Sequence, residues 1–369
     1  MNMKKLFCIF LVVMLFMAMP VLASDFDGQS MLDDLYRAAP DAVTENMPTA
    51  ELSEQTIGDV LTIESILDLF SSQFMSTLSD NIGIIISVIG ILILMGIYES
   101  LRDSFSAKGT EKIADFFCAA AVALLICPPI MERAGELSQV IRELSDYMEL
   151  SLPILCGLLT ATGNVGSAGV FHFFIYQAIS FAGNLFSDIL LPLTGSYISI
   201  GIAAAITDNE GLKNLTSTVR TVTTKCMVFL CTVFTALLSF QGVVAGAGDS
   251  VSRRTLKLAV GSFLPVTGNL MAESVDTFMG GVGVIRSVAG VFGVVVVFYL
   301  IIIPILKTLA NFFLIKGSVF VGEMIGLPRI RSLLTVVSDG FGMLLAIAAG
   351  IGVMFIICMA FLLIVGGAA

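Results

Sequence analysis

Two runs without a single charge, residues 288–306 and 341–365, each approach the ~20 residues that a helix needs to cross the hydrocarbon of a bilayer. A chain must cover such runs with lipid or with protein, and protein alone is not enough here. Hydrophobic residues make up 57% of 369 and charged residues 13%, against about 45–50% and about 25% in soluble domains. Single cores stop growing beyond roughly 250–300 residues, so lipid takes the surplus. Barrel strands alternate polar and apolar over ~10 residues, and these runs do not. The expected fold is all-α, a polytopic transmembrane helix bundle of about seven or eight spans.

The N-terminus reads as a cleavable signal peptide, residues 1–23. Lys4 and Lys5 form a positive start, residues 6–19 are apolar, Pro20 breaks the helix, and Val21-Leu22-Ala23 suits cleavage before Ser24. Residues 24–80 then form a small acidic extracytoplasmic segment, holding twelve of the 29 acids against one base, Arg37. Residues 81–369, the multi-span membrane domain, are nearly neutral, and nothing points to nucleic acid. In the acidic segment, 24–54 is polar with Pro40 and Pro48 and reads as loosely ordered. Ile63, Ile66, Leu67, Phe70, Phe74 and Leu78 recur at helical spacing. They predict an amphipathic helix, lying on the membrane surface or docking a partner.

Candidate spans fall at 82–98, 114–131, 150–168, 170–187, 189–206, 226–247, 284–306 and 340–365. Residues 150–206 accommodate three spans or one span with surface helices. Flanking charge favours three: 99–113 (Arg102, Lys108, Lys112) and 207–225 (Lys213, Arg220, Lys225) read as cytoplasmic loops, and acid-rich 132–149 as an external one. Lys307, Lys316, Arg329 and Arg331 place 307–339 inside as well. The basic cluster Arg253, Arg254 and Lys257 then falls outside, against the bias. Either protein or acidic partners hold it there, or 226–283 contains a re-entrant hairpin.

That region is also the most polar part of the membrane domain. Asp249, Arg253, Arg254, Lys257, Asn269, Glu273 and Asp276 are the candidate polar interface or cavity residues, with Glu273 and Asp276 sharing a helix face. They mark interfacial helices in the headgroups, or a wet cavity or subunit contact.

No catalytic, cofactor or metal site is expected. Gly246-Ala247-Gly248-Asp249 matches the GxGD pattern of intramembrane aspartyl proteases, but their partner motifs are missing, as are H-E-x-x-H and a Walker A sequence. His172, the one histidine, lies among phenylalanines and reads as structural. The seven cysteines have no ligand or redox spacing and sit in apolar runs.

Residues 239–242 (SFQG), 249–257 with its Arg-Thr-Leu-Lys ending, 263–277 (FLPVTGNLMAESVDT) and Ala205-Ile206-Thr207-Asp208 resemble the stage III sporulation protein AE family of endospore-forming Firmicutes. The first 80 residues carry no matching motif. The resemblance implies a non-enzymatic membrane subunit of a trans-envelope, secretion-like channel between mother cell and forespore, multi-pass in the mother-cell membrane and needed for forespore development. Implied partners are ring-forming and membrane proteins of the same operon, a secretion-type ATPase, a forespore-side channel protein and the bilayer. The alternative is a self-sufficient secondary transporter with a site between broken helices.

Overall fold

The computed structural model describes the backbone of residues 28–40, 63–105, 111–161, 165–263 and 268–367, with side chains described for most of these outside 237–287 and 360–367. All its regular elements are helices: α1 Gly28–Ala38, α2 Ile63–Phe105, α3 Glu111–Ala161, α4 Val165–Leu185, α5 Leu191–Thr207, α6 Glu210–Phe263, α7 Gly268–Ile325 and α8 Pro328–Gly367. A π-helical turn, Phe186–Leu190, joins α4 to α5 without a break. Proline explains that turn. Pro192 has no N–H to donate, and its ring would clash with the carbonyl four residues back. Widening the helix relieves this, and Leu191 N–H donates to the Phe186 carbonyl instead.

Among the described residues, six helical runs are long and apolar enough to cross a membrane. The protein is a multi-pass helical membrane protein, with six such helices among the described residues against the seven or eight spans expected from the sequence. The difference lies in 150–206. Residues 150–161 finish α3, and 165–207 form one continuous run, so the block supplies the end of one long helix and one further span-length run in place of three. The crossing number stays odd, as the charges flanking the block require. The supposed loops 132–149, 207–225 and 307–339 are helical almost throughout, interrupted by short turns at 208–209 and 326–327.

Contacts fix the direction of each helix. Phe74 of α2 meets Phe313 of α7 edge-on, with ring centroids 6.4 Å apart, and farther along Leu92 and Leu334 both approach Gly322. So α2 runs parallel to α7 and α8 antiparallel. Ser138 of α3 reaches Ser187 at 3.4 Å, while Ser145 faces Gly183, making α3 antiparallel to α4. Glycines permit the closest approaches: a methyl on Gly340 of α8 would stand 2.6 Å from Ile198 of α5.

At about 1.5 Å per residue, the 51 residues of α3 and the 58 of α7 reach about 76 and 87 Å. The hydrocarbon core is about 30 Å thick, so the bundle extends beyond it. The outward faces locate the lipid. On α2 and α3, Ile86, Leu94, Phe117 and Leu124 are each more than 60% exposed, toward the pole where α3 begins. Farther along α3, Leu137, Ile141, Leu144 and Tyr147 are buried, while Glu132, Arg142 and Asp146 face outward, as water requires.

The acidic segment differs from expectation in two ways. Gly28–Ala38 is a helix that packs on α3 and α7, with Leu35 fully buried and Tyr36 stacked on Phe292 at 6.1 Å. The predicted amphipathic helix at 63–78 is the first part of α2, continuous with its span, rather than a separate surface helix. Packing of α8 and α2 on α7, with α1 added at Phe292, also explains the uncharged run 288–306. Two thirds of the most apolar window of that span is covered by protein, so its hydropathy reports a core position as much as lipid.

Candidate functional site

Three chain segments converge at the pole where α3 begins. Asp208 adopts the left-handed conformation (φ 55°) that ends α5. Asn209 then caps α6, its Oδ1 accepting hydrogen bonds from the N–H groups of Gly211 (2.8 Å) and Leu212 (3.3 Å). At the second turn, Gly326 N–H donates to the Glu323 carbonyl and Leu327 N–H to the Gly322 carbonyl, both at 3.3 Å. This is the Schellman pattern, with glycine at the positive-φ position (φ 85°) and Pro328 opening the next helix. Arg329 holds the pole together, 3.7 Å from Asp208 and 3.7 Å from Asp115 at the start of α3.

Between α5, α6 and α8, next to this pole, lies a cleft of about 440 Å³ lined by Tyr197, Lys213, Ser217, Arg220, Arg331, Ser332 and Asp339 among others. Its cations are held from outside the lining or by its single carboxylate. Arg331 pairs with Glu323 at 2.9 Å, and Lys213 with Asp208 at 2.8 Å and Glu210 at 2.9 Å. Arg220 reaches Asp339 at 3.0 Å, and Tyr197 lines the cleft beside them. Thr216, Ser217 and Thr335 spend their hydroxyl protons on carbonyls of their own helices. The cleft therefore offers guanidinium and ammonium N–H donors.

The residues expected from the sequence to form a polar site fall elsewhere. Asp249, Arg253, Arg254 and Lys257 lie in the second half of α6, and Asn269, Glu273 and Asp276 in the first turns of α7. These helices are consecutive in the chain; the side chains of all seven residues, and residues 264–267 between the helices, lie outside the described residues. The cleft had a sequence signal that was read only for topology. Lys213, Arg220, Arg329 and Arg331 counted as loop charges, whereas folding turns them along helices into one cleft and its rim. His172 is exposed and stacks on Tyr176 at 6.4 Å, so it is not a core residue. The six cysteines among the described residues are free, and no group of His, Cys, Asp and Glu among those residues is arranged to hold a metal.

The sequence profile described as Stage III sporulation protein AE matches residues 50–366, nearly the whole helical bundle. The chain belongs to the stage III sporulation protein AE family. A similar relative is the Stage III sporulation protein AE of Bacillus subtilis (strain 168), 23% identical over 302 residues, which covers 81% of this chain and 74% of the relative. No solved structure matches. The family match begins at residue 50, so α1 lies ahead of it and the cleft lies within it.

Proposed function

We propose that this family member is a membrane subunit of a sporulation-specific, secretion-like channel complex between mother cell and forespore, needed for forespore development. It acts by helix–helix contact rather than by catalysis. The observation that carries the reading is membership in the stage III sporulation protein AE family across residues 50–366, on a chain with six membrane-crossing helices. Its partners are the other membrane and ring-forming proteins of the operon, a secretion-type ATPase and a forespore-side channel protein.

The orientation follows from charge. Lys213, Arg220, Arg329 and Arg331 gather near one pole, which the positive-inside bias assigns to the mother-cell cytoplasm. The acidic segment 24–80 lies on the other side, delivered there by the signal peptide. Helices that extend past the bilayer support the reading, since they present protein surface beyond the lipid for other subunits.

The test uses Glu273 and Asp276. If they pair with bases of this chain or of a partner, Glu273→Gln with Asp276→Asn strands buried positive charge, a loss of about 3–5 kcal/mol. The expected result is normal insertion, lost co-purification of partner subunits and arrest of a late forespore reporter. Charge reversal of Arg253 and Arg254 to Glu should do the same. Normal assembly and normal reporter activity in both variants would return these residues to the headgroup zone.

A further inference from the structure

The bundle has two chemically different sides at one height. Gly340 of α8 faces both Ile198 of α5 and Ile130 of α3, so the 113–131 stretch of α3 runs level with the start of α8. On the α3 side, Phe117 and Leu124 turn 66% and 75% of their surface outward, as lipid requires. On the α6 side, Ser217, Thr218, Arg220, Thr221, Thr224 and Lys225 face outward, with Leu215 and Val222 exposed between them. Ionisable groups at membrane depth face a bundle interior or water. The polar stripe of α6 therefore meets water, and the cleft, lined by Ser217 and Arg220, opens beside it.

We propose that this cleft is a binding site for a phosphate-type oxyanion. Arg220 and Arg331 are each more than half exposed, and each is engaged by one carboxylate, Asp339 or Glu323. A guanidinium has five N–H donors, and one carboxylate takes at most a bidentate pair. Each arginine keeps donors for a ligand while its partner holds it in place. Lys213 adds an ammonium from about two turns earlier in α6, and the Ser332 hydroxyl has no hydrogen-bond partner among the described residues. Donors thus come from two helices, which suits a tetrahedral oxyanion better than a planar one. Asp339 is the one carboxylate in the lining, and Arg220 already engages it. At about 440 Å³ the cleft has the size of small-molecule pockets, about 300–1,000 Å³. The ligand is then a phosphorylated solute, or the phosphate of an anionic lipid reaching in from the bilayer. This assignment concerns the chain by itself and stands independently of the channel complex.

The test uses the full chain in nanodiscs. In zwitterionic lipid, inorganic phosphate is titrated against sodium chloride at equal ionic strength while the melting temperature is followed. A saturable rise specific to phosphate is expected. Arg331→Gln should weaken the apparent affinity about tenfold or more, the scale of a lost charge-assisted hydrogen bond. Ser217→Phe fills the cleft without touching an ion pair and should abolish the response. Lys316→Gln, whose ammonium lies over the Phe312 ring on α7, should change nothing. A parallel set in phosphatidylglycerol nanodiscs without added phosphate identifies the source. Stabilisation sensitive to Arg331→Gln and Ser217→Phe only there assigns the oxyanion to lipid headgroups; a response in zwitterionic lipid assigns it to a solute. Phosphate acting no differently from chloride, with no variant-sensitive effect of phosphatidylglycerol, would overturn the proposal. So would stabilisation that survives both substitutions.

Discussion

Arg329 stands between two carboxylates, 3.7 Å from Asp208 in the α5–α6 turn and 3.7 Å from Asp115 in the first turns of α3. One side chain thereby ties three segments that lie 93 to 214 residues apart in the chain. The Asp115 arm is partly shielded, with side-chain exposure of 22% for Arg329 and 25% for Asp115, while Asp208 is 49% exposed. Exposed pairs contribute about 0.2–1 kcal/mol, and breaking a buried one costs about 3–5 kcal/mol. Arg329→Gln should fall between, destabilising by about 1–3 kcal/mol. Arg329→Lys should recover only part, because one ammonium cannot fork to two carboxylates as a guanidinium does. A double-mutant cycle with Asp115→Asn in detergent melts reads the coupling, and a coupling near zero would remove the clasp.

The seam between α5 and α8 should be intolerant of added volume. A methyl at Gly340 would lie 2.6 Å from Ile198 and 3.2 Å from Ile130, with no room on either side. Gly340→Val should cost about 1–3 kcal/mol through overpacking. Gly317→Ala meets nothing within 4 Å and should instead gain about 0.8–1 kcal/mol of helix propensity. Thermal melts of the two variants side by side check the contrast.

The docking of α1 predicts a local phenotype. Leu35 is fully buried against the bundle, and truncating a buried leucine costs about 2–5 kcal/mol. Leu35→Asp adds an unpaired carboxylate to that loss and should release α1, so that protease cuts within 28–40 while the six crossings stay inserted. Wild-type protein should resist cutting there. For the same reason, isolated residues 24–80 should show little helix by circular dichroism in buffer, since α3 and α7 complete the face that Leu35 buries. A cooperative melt of the isolated segment would contradict this.

Gly169 separates six crossings from eight. With three spans in 150–206, residue 169 sits in a turn on the same side as Asn209. In the structure it lies near the start of α4, at the pole opposite Asn209, exposed and with open space around it. In a cysteine-free background, Gly169→Cys and Asn209→Cys should react with an impermeant thiol reagent from opposite sides of the membrane. Labelling of both from one side would restore the three-span reading.

Hydropathy made the helical class and the number of apolar blocks legible, because lipid leaves no alternative for uncharged runs. It misjudged where the blocks end. Residues 132–149 look like a loop because five acids and two arginines interrupt an apolar pattern, yet Leu137, Ile141, Leu144 and Tyr147 keep a helical stripe that the core buries. The three-span reading of 150–206 failed for a related reason. Block length and flanking charge allow any odd number of crossings, and Gly183 and Ser187 are used in close contact with α3 inside one continuous run. The cleft was illegible because its parts come from 197–220 and 328–339, and only the two tight turns bring those stretches together. Asn209 and Gly326 did carry a local signal for those turns, as an N-cap and a C′ glycine. The run 288–306 shows the opposite limit, since hydropathy alone does not distinguish a helix facing lipid from one wrapped by α1 and α8.

The central claim is that this chain works as part of a membrane complex during sporulation. The most direct measurement is affinity purification of the tagged full-length protein from sporulating cells in mild detergent, with the co-purifying proteins identified. The account predicts recovery of the ring-forming and membrane proteins of its operon together with the secretion-type ATPase, and their loss when Glu273→Gln and Asp276→Asn are combined. Recovery of the chain alone, inserted and stable, from cells that still complete forespore development would contradict it.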